Sequence, residues 1–432
     1  MDENNKKINT GKKKILVFSL CYCPFVGGAE IAVSEITKRI TEDTEFDMVT
    51  LRFDKNSPRF EKIDNVNIHR IGFVKENSNM SDWVKFPLKL NKIFFPIMAF
   101  WKASCLHCKN NYDAIWAIIA GYAGFSALFF KLIHPKIPYL LTLQEGLPVE
   151  AIEKRSRYFR PLFKMIFTKA GYIQAISNYL ANWAKKMGAK CPVDVVPNGA
   201  DINIDNFFVQ KDKTERVALT SVLLESKDLG EWRKIILKDD YEEGGVYLIT
   251  TSRLVQKNAV DDVIKSLKFL PENYKFLVLG IGPDREKLEN LAEEIGVQNR
   301  VKFLGEIEYK KIPEYLAISD VFIRPSLSEG LGNSFLEAMA VGIPIIGTEV
   351  GGIPDFLKDK ETGLFCEVRN PKDIAEKVKF ILDPKNKELK KQIISNAKKL
   401  VIENYDWDEI AEKMKEIFEK LLVLSTTAGG VL

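Results

Sequence analysis

The chain has 432 residues, of which 46% are hydrophobic, and a formal net charge of +4. That length predicts two or three domains, and the apolar content is ample for real cores. No apolar run reaches about eighteen residues, which excludes a conventional membrane span, and the polar, basic start MDENNKKINTGKKK has no apolar signal region.

Residues 1–12 therefore read as a disordered leader on an intracellular, cytoplasmic chain. A strand at 14–19, a loop with Gly27-Gly28, an amphipathic helix carrying Ile31, Val33, Ile36 and Ile40, and a strand at 46–53 make a βαβ start. Gly27-Gly28 suits either a tight turn or a close approach of backbone to a ligand. Further strands are expected at 66–71, 114–119, 139–143, 172–176 and 193–196, with helical patterns between most of them. This predicts a first Rossmann-like domain over 13–204, which closes on a turn, Val196-Pro-Asn-Gly-Ala-Asp201, where Gly199 is free to take a positive φ.

Charge is uneven along this half. From Trp83 to Val193 there are 16 Lys/Arg and 4 Asp/Glu, a net +12 that leaves −8 for the rest. Lys85, Lys89 and Lys92 share a face if their segment is helical, with Phe86, Leu90 and Ile93 nearby. The 154–169 segment places Arg155, Arg157, Arg160 and Lys164 among Tyr158, Phe159, Leu162, Phe163, Met165 and Phe167. Basic residues among large apolar ones suit an interfacial helix on an anionic membrane, or else a core face backed by a solvated one. No RNA or DNA motif accompanies the basic segment.

Residues 205–245 are charged and irregular, and are read as a linker with an embellishment. A second Rossmann-like domain over 246–405 follows, with strands at 247–251, 276–279, 301–304 and 321–323. Gly280-Ile-Gly282-Pro283 lacks the third glycine of a dinucleotide fingerprint, which would fall at Arg285. A helix at 406–424 and a featureless tail at 425–432 complete the chain. Asp406-Trp-Asp408 has the spacing of a metal-binding acid pair, but at a helix start it reads as a cap. Cys21-Tyr-Cys23 and Cys105-Leu-His-Cys108 have no second ligand pair at zinc-like spacing, and all six cysteines read as free, mostly buried thiols.

The most informative stretch is 320–365, DVFIRPSLSEGLGNSFLEAMAVGIPIIGTEVGGIPDFLKDKETGLF. It reads as a buried strand, a glycine-bearing loop, a short helix over about 334–341 stopped by Gly342, a strand over 343–347, and Gly351-Gly352. Glu329 lies before the helix and Glu337 eight residues later. Between them Gly330, Leu331, Gly332 and Asn333 offer amides beside a helix start, where phosphate can bind. Alternatively Ser334-Phe-Leu-Glu337 is a capping box and Glu329 a solvated loop acid.

This run resembles the signature of retaining glycosyltransferase family 4, with its E-x7-E pair in a GT-B fold. The resemblance implies an α/β protein of two facing Rossmann-like domains, the last helix crossing back to the first. It implies that Glu329 contacts the transferred sugar, Glu337 the donor ribose, and the amides of Gly330 to Asn333 the diphosphate. Pro24 to Glu30 resembles the glycine loop that comes close to the donor, through Gly28. Ser252 to Ala259 resembles the loop whose cations face the diphosphate, through Arg253 and Lys257. Lys257 stands one place early, Asn258 and Ala259 holding the usual Lys and Gly positions. Where many relatives carry a His near the reacting sugar, this chain has Gln144-Glu145, read as a sugar or acceptor contact or as a loop cap.

The implied activity is metal-independent, retaining transfer of a sugar from a nucleotide-diphospho-sugar to an acceptor hydroxyl, with no cofactor. Independently of the resemblance, the basic, apolar-rich 83–193 segment leads to the expectation of a glycan or lipid-linked acceptor and an anionic membrane as the partner surface. A GT-B epimerase, a phosphorylase and an inactive sugar-nucleotide-binding regulator are the alternatives.

Overall fold

The computed structural model describes residues 11–24, 27–74, 86–201, 208–210, 216–218 and 229–428, with 208–210, 216–218 and 424–428 as backbone alone. Most of the leader, the end of the tail, Lys85 and much of 205–245 lie outside the described residues.

Among the described residues the first domain is an eight-stranded sheet. Its strands are β1 (Lys13–Phe18), β2 (Thr44–Leu51), β3 (Phe60–Ile63), β4 (Val66–Ile71), β5 (Ala114–Ile118), β6 (Tyr139–Leu143), β7 (Tyr172–Ala175) and β8 (Val193–Val195), in the order β3-β4-β2-β1-β5-β6-β7-β8. All neighbours pair in parallel except β3, an antiparallel edge strand that the sequence reading did not anticipate. Its pattern FEKI is short and half-exposed, so no buried run marks it. β5 and β6 are buried at every position, which is why AIWAI and YLLTL read as continuous apolar runs. The covering helices are α1 (Gly28–Arg39), α2 (Leu88–Asn110), α3 (Tyr122–Ile133), α4 (Val149–Arg155), α5 (Arg160–Thr168) and α6 (Asn178–Lys186).

The described residues within 205–245 include regular elements. A two-stranded antiparallel hairpin, β9 (Phe208–Gln210) and β10 (Arg216–Ala218), is followed by α7 (Leu229–Leu237). Trp232 is buried, and Arg233 bonds Asp320 at 2.7 Å and the carbonyl of Ile318 at 2.8 Å. This helix is therefore docked on the second domain.

That domain is a six-stranded parallel sheet of β11 (Val246–Thr251), β12 (Tyr274–Leu279), β13 (Val301–Gly305), β14 (Val321–Arg324), β15 (Ile345–Thr348) and β16 (Leu364–Cys366), in the order β13-β12-β11-β14-β15-β16. Its helices are α8 (Val260–Ser266), α9 (Arg285–Glu294), α10 (Ile312–Ala317), α11 (Asn333–Val341), α12 (Pro371–Leu382) and α13 (Lys387–Asn404). The chain reverses strand order between β11 and β14, and the loops at their carboxyl ends form the rim where such sheets bind ligands.

The last helix, α14 (Trp407–Ala428), crosses back to the first domain and extends into the segment read as tail. Its apolar stripe of Trp407, Ile410, Met414, Phe418 and Leu421 is buried, and Phe418 meets Trp116 edge-on at 5.2 Å and Phe46 at 6.0 Å. Oδ1 of Asp406 accepts from the amides of Asp408 and Glu409 at 2.7 and 3.4 Å, the cap expected of it, and Asp408 pairs with Arg39 of α1. Gly199 has no positive φ. A Cβ there would stand 2.6 Å from the Trp407 ring, so the residue is glycine to admit that indole.

The cysteines are free, but only Cys21 and Cys366 are buried, while Cys105 and Cys108 are exposed on α2. Among the described residues no helix is long and apolar enough to cross a membrane.

Candidate active site

Phe335 anchors the central element. Its ring lies 5.1 Å from Phe322 of β14 and 5.5 Å from Phe356, which fixes α11 over the sheet. The helix begins at Asn333 with Gly332 as N-cap at φ +107, and ends on Gly342 at φ +92. Ser334 is thus inside the first turn, its hydroxyl accepting from Nη1 of Arg324 at 2.7 Å. The capping-box alternative is thereby excluded, and Glu337 serves no cap. The amides of Leu331, Gly332 and Asn333 donate to no hydrogen bond among the described residues. They stand at the positive end of the helix dipole.

Glu329 is not a solvated loop acid: it is 8% exposed. Oε2 pairs with Nη2 of Arg324 and with Nζ of Lys257 at 3.2 Å, and Oε1 accepts from the amide of Gly330 at 3.1 Å. Burial alone would raise this carboxyl, but Arg324 and then Lys257 outweigh it and hold it below the usual range. Its backbone is clamped as well. Gly351 takes φ +57, and a Cβ there would overlap the Glu329 carbonyl, so only glycine fits.

Lys257 sits in a 3-10 turn, Gln256–Asn258, with its ammonium lowered by burial and partly restored by Glu329. Ala259 adopts φ +50, a left-handed conformation in the place where the resemblance expects glycine. Asn258, in the expected lysine place, is buried. It donates to the carbonyl of Arg253 at 2.6 Å and accepts from Arg324 at 3.1 Å. The cation one position early is therefore the one that reaches the acid. Arg253 is exposed in the same loop, with its electrostatic influence reaching Lys257.

Glu337 is raised to about 7 by burial, against the opposing effects of a hydrogen bond with Tyr309 and the charge of Arg324. The Tyr309 hydroxyl is in turn pushed upward by burial and by Glu337, with Asp201 and Glu35 of the first domain also near.

The first domain closes over this set. A Cβ on Gly146 would lie 3.2 Å from Nζ of Lys257 and 3.6 Å from Oε1 of Glu329. A Cβ on Gly28 would lie 3.4 Å from Nδ2 of Asn333, and Asn198 bridges Asn333 and Gln144 at 3.3 and 3.4 Å. Gln144 thus faces the cleft. Glu145 does not: its carboxyl accepts from the amide of Ala120 at 2.6 Å, is 6% exposed, and is raised to about 7 by burial. For this residue the geometry favours the loop tie over a sugar contact. Sequence alone does not mark Arg324, because it follows the apolar run Val321-Phe322-Ile323 as a lone cation at the end of β14.

Two facing Rossmann-like domains with a cleft of this construction define the GT-B fold. Two family models match in series: Glycosyltransferase Family 4 over residues 26–204 and Glycosyl transferases group 1 over residues 233–400, and the chain belongs to this family. It is 25% identical to the uncharacterized glycosyltransferase MJ1069 of Methanocaldococcus jannaschii, over 95% of this chain and 99% of that protein. A segment covering 39% of the chain is 28% identical to a GDP-mannose-dependent alpha-(1-6)-phosphatidylinositol monomannoside mannosyltransferase of Mycobacterium tuberculosis, covering 46% of it. Among solved structures, Anabaena Alr3699/HepE in complex with UDP and glucose superposes with a TM-score of 0.70 at 19% identity, covering 94% of this chain and 99% of that one.

Proposed function

We propose that this glycosyltransferase moves a sugar from a nucleotide-diphospho-sugar to an acceptor hydroxyl with retention at the anomeric carbon. The observation that carries the reading is the juxtaposition, beneath Gly146, of Glu329, Lys257 and the amides of Leu331 to Asn333, which have no partner among the described residues. The UDP complex of HepE supports a nucleotide-sugar donor.

As the bond between the anomeric carbon and the diphosphate oxygen breaks, charge develops on that oxygen. Lys257, Arg253 and the α11 N-terminus stabilise it without a metal. Glu329 orients the sugar through its hydroxyls and Glu337 receives the ribose. The acceptor oxygen bonds to the anomeric carbon on the face the phosphate leaves, and its proton passes to the departing phosphate oxygen. Closure of the two domains on each other keeps water from competing. A thermal-shift panel of UDP- and GDP-sugars, followed by NMR of the product's anomeric configuration with and without EDTA, tests this. An inverted product, or activity that EDTA abolishes and manganese restores, refutes it.

The acceptor proposal is a lipid-linked glycan precursor reached at an anionic membrane. On α2 the outward stripe is Ile93, Ile97 and Trp101, the last 64% exposed, with Phe94 and Lys89 beside it. Tyr158 and Phe159 are also exposed, among Arg155, Arg157 and Arg160. Such faces combine apolar insertion with roughly 1 kcal/mol per cation near anionic lipid. The structure alters the expected composition of these faces. Lys92 lies over the Tyr122 ring at 5.4 Å and is half-buried, while Phe163 and Phe167 belong to the core. The phosphatidylinositol-linked substrate named for the mycobacterial relative supports this reading. Co-sedimentation with phosphatidylglycerol vesicles at low and high salt decides it: no binding at low salt leaves a soluble acceptor.

A further inference from the structure

Arg324 is a guanidinium at the carboxyl end of a buried strand, 9% exposed, where β14 otherwise runs Val321-Phe322-Ile323. It spends Nη1 on Ser334 and Nη2 on both Glu329 and Asn258, while Nε donates to nothing among the described residues. A buried ion pair of this kind adds little stability over an apolar side chain of similar size, so stability alone gives no reason for arginine here. Its three partners come from three segments: Asn258 from the cation loop, Glu329 from the loop before α11, and Ser334 from the first turn of α11.

We propose that Arg324 is the positioning residue for Glu329, holding that carboxylate in place so that Lys257 is released to the donor diphosphate when donor binds. The inference rests on the reading of the site given under Proposed function. In the structure both cations share Oε2 of Glu329. Only Lys257 is at the cleft, with its ammonium against the first domain at Gly146. Arg324 is held beneath by Ser334 and Asn258. When a diphosphate enters, Lys257 can exchange one anion for another, whereas without Arg324 that exchange would leave Glu329 buried with no cation. The other charged groups around Glu329 do not substitute: Arg253 is exposed further along its loop, Glu337 is engaged with Tyr309, and the carboxyl of Glu145 is turned to Ala120.

The test compares wild type with R324M, R324K and S334A, using the donor that the panel identifies. Binding of UDP or GDP is measured by calorimetry, kcat is measured from pH 5 to 9, and melting temperature is recorded. R324M is expected to lose roughly 100-fold in kcat, since misplacing a reacting group costs about that much. Its nucleoside diphosphate affinity should also fall, because binding then draws Lys257 away from a Glu329 that has no second cation, but by clearly less than kcat, because Arg324 faces Glu329 and not the cleft. The acid limb of the kcat profile should move up by about one pH unit or more, because a buried carboxylate that loses its cation titrates higher. R324K should recover part of both effects. S334A, which keeps the charge and removes one guide, should show a smaller loss in the same direction even if R324M does not fold.

Wild-type kcat and an unmoved acid limb in R324M overturn the proposal, as does a loss of diphosphate affinity equal to the loss in kcat. If R324M does not fold, an unmoved acid limb in both R324K and S334A overturns it. A wild-type protein that binds neither UDP nor GDP and transfers from no donor overturns the functional reading itself, and this inference with it.

Discussion

The ammonium of Lys257 lies 3.2 Å from Oε2 of Glu329, a contact that spans 72 positions of sequence and joins the loops after β11 and β14. Both loops stand at the carboxyl ends of adjacent central strands, so the sheet itself sets their separation. The pair is also what the first domain covers through Gly146.

Glu329→Gln should abolish most transfer, at least about 100-fold in kcat, since an amide cannot hold the same charge toward the sugar. Its position beside the phosphate loop suggests from sequence that folding would be spared. The structure predicts otherwise. Removing one partner from a buried pair leaves Arg324 and Lys257 in mutual repulsion, at a cost of about 3 kcal/mol or more. Thermal melts of the variant should show a lowered midpoint, and a wild-type midpoint would mean that the carboxylate is less engaged than its contacts indicate.

Arg253→Ala should act on binding alone. The side chain is exposed, so the melting temperature should stay within about a degree, typical of a surface substitution. Affinity for UDP or GDP should fall roughly tenfold together with affinity for the donor, because both present the same phosphates. Unchanged nucleoside diphosphate affinity with reduced transfer would assign Arg253 to another step.

Much of the fold was legible because its sheets are parallel and buried. Runs such as ILVF of β1 and LLTL of β6 announce themselves without any partner. The elements left out are those whose stability comes from their surroundings. β3 is a half-exposed edge, β16 is three residues long, and α7 is amphipathic only with respect to the surface that Ile318 and Asp320 provide. In the site, Glu329 and the glycine loop were readable from a contiguous motif, whereas the orientation of Glu145 depends on the amide of Ala120, 25 positions away. Arg324 was in plain view, but a lone cation after an apolar run carries no signal until its three partners converge.

Phe418→Ala tests the crossing helix. The ring is 4% exposed, and it packs on Trp116 and Phe46, so truncation should cost about 3–5 kcal/mol. Because α14 belongs in sequence to the second domain and in packing to the first, the loss should also loosen the relation between the two. Chemical denaturation should then show the first domain unfolding earlier. A cost below about 1 kcal/mol would mean that the helix contributes little to the first domain's core.

The last prediction concerns Glu145 and pH. Its carboxyl is raised to about 7 by burial, well above the 4.5 of an unperturbed glutamate. The folded protein therefore binds this proton more tightly than the unfolded chain. The favourable contribution is complete below about pH 4.5 and is lost as pH rises through about 7. Glutamine keeps an acceptor for the Ala120 amide and has no charge to bury, so Glu145→Gln should escape that loss. Relative to wild type the variant should gain stability between pH 5 and pH 8, by at most about 3 kcal/mol, the free energy of a shift of that size. Urea midpoints of both proteins at pH 5, 6, 7 and 8 measure the gap. Glu337, raised to about 7 in the same way, is present in both proteins and cancels in the difference. A gap that stays constant across this range would show that the Glu145 carboxyl is ionised in the folded state at pH 5, and that its contact with Ala120 is made by a carboxylate.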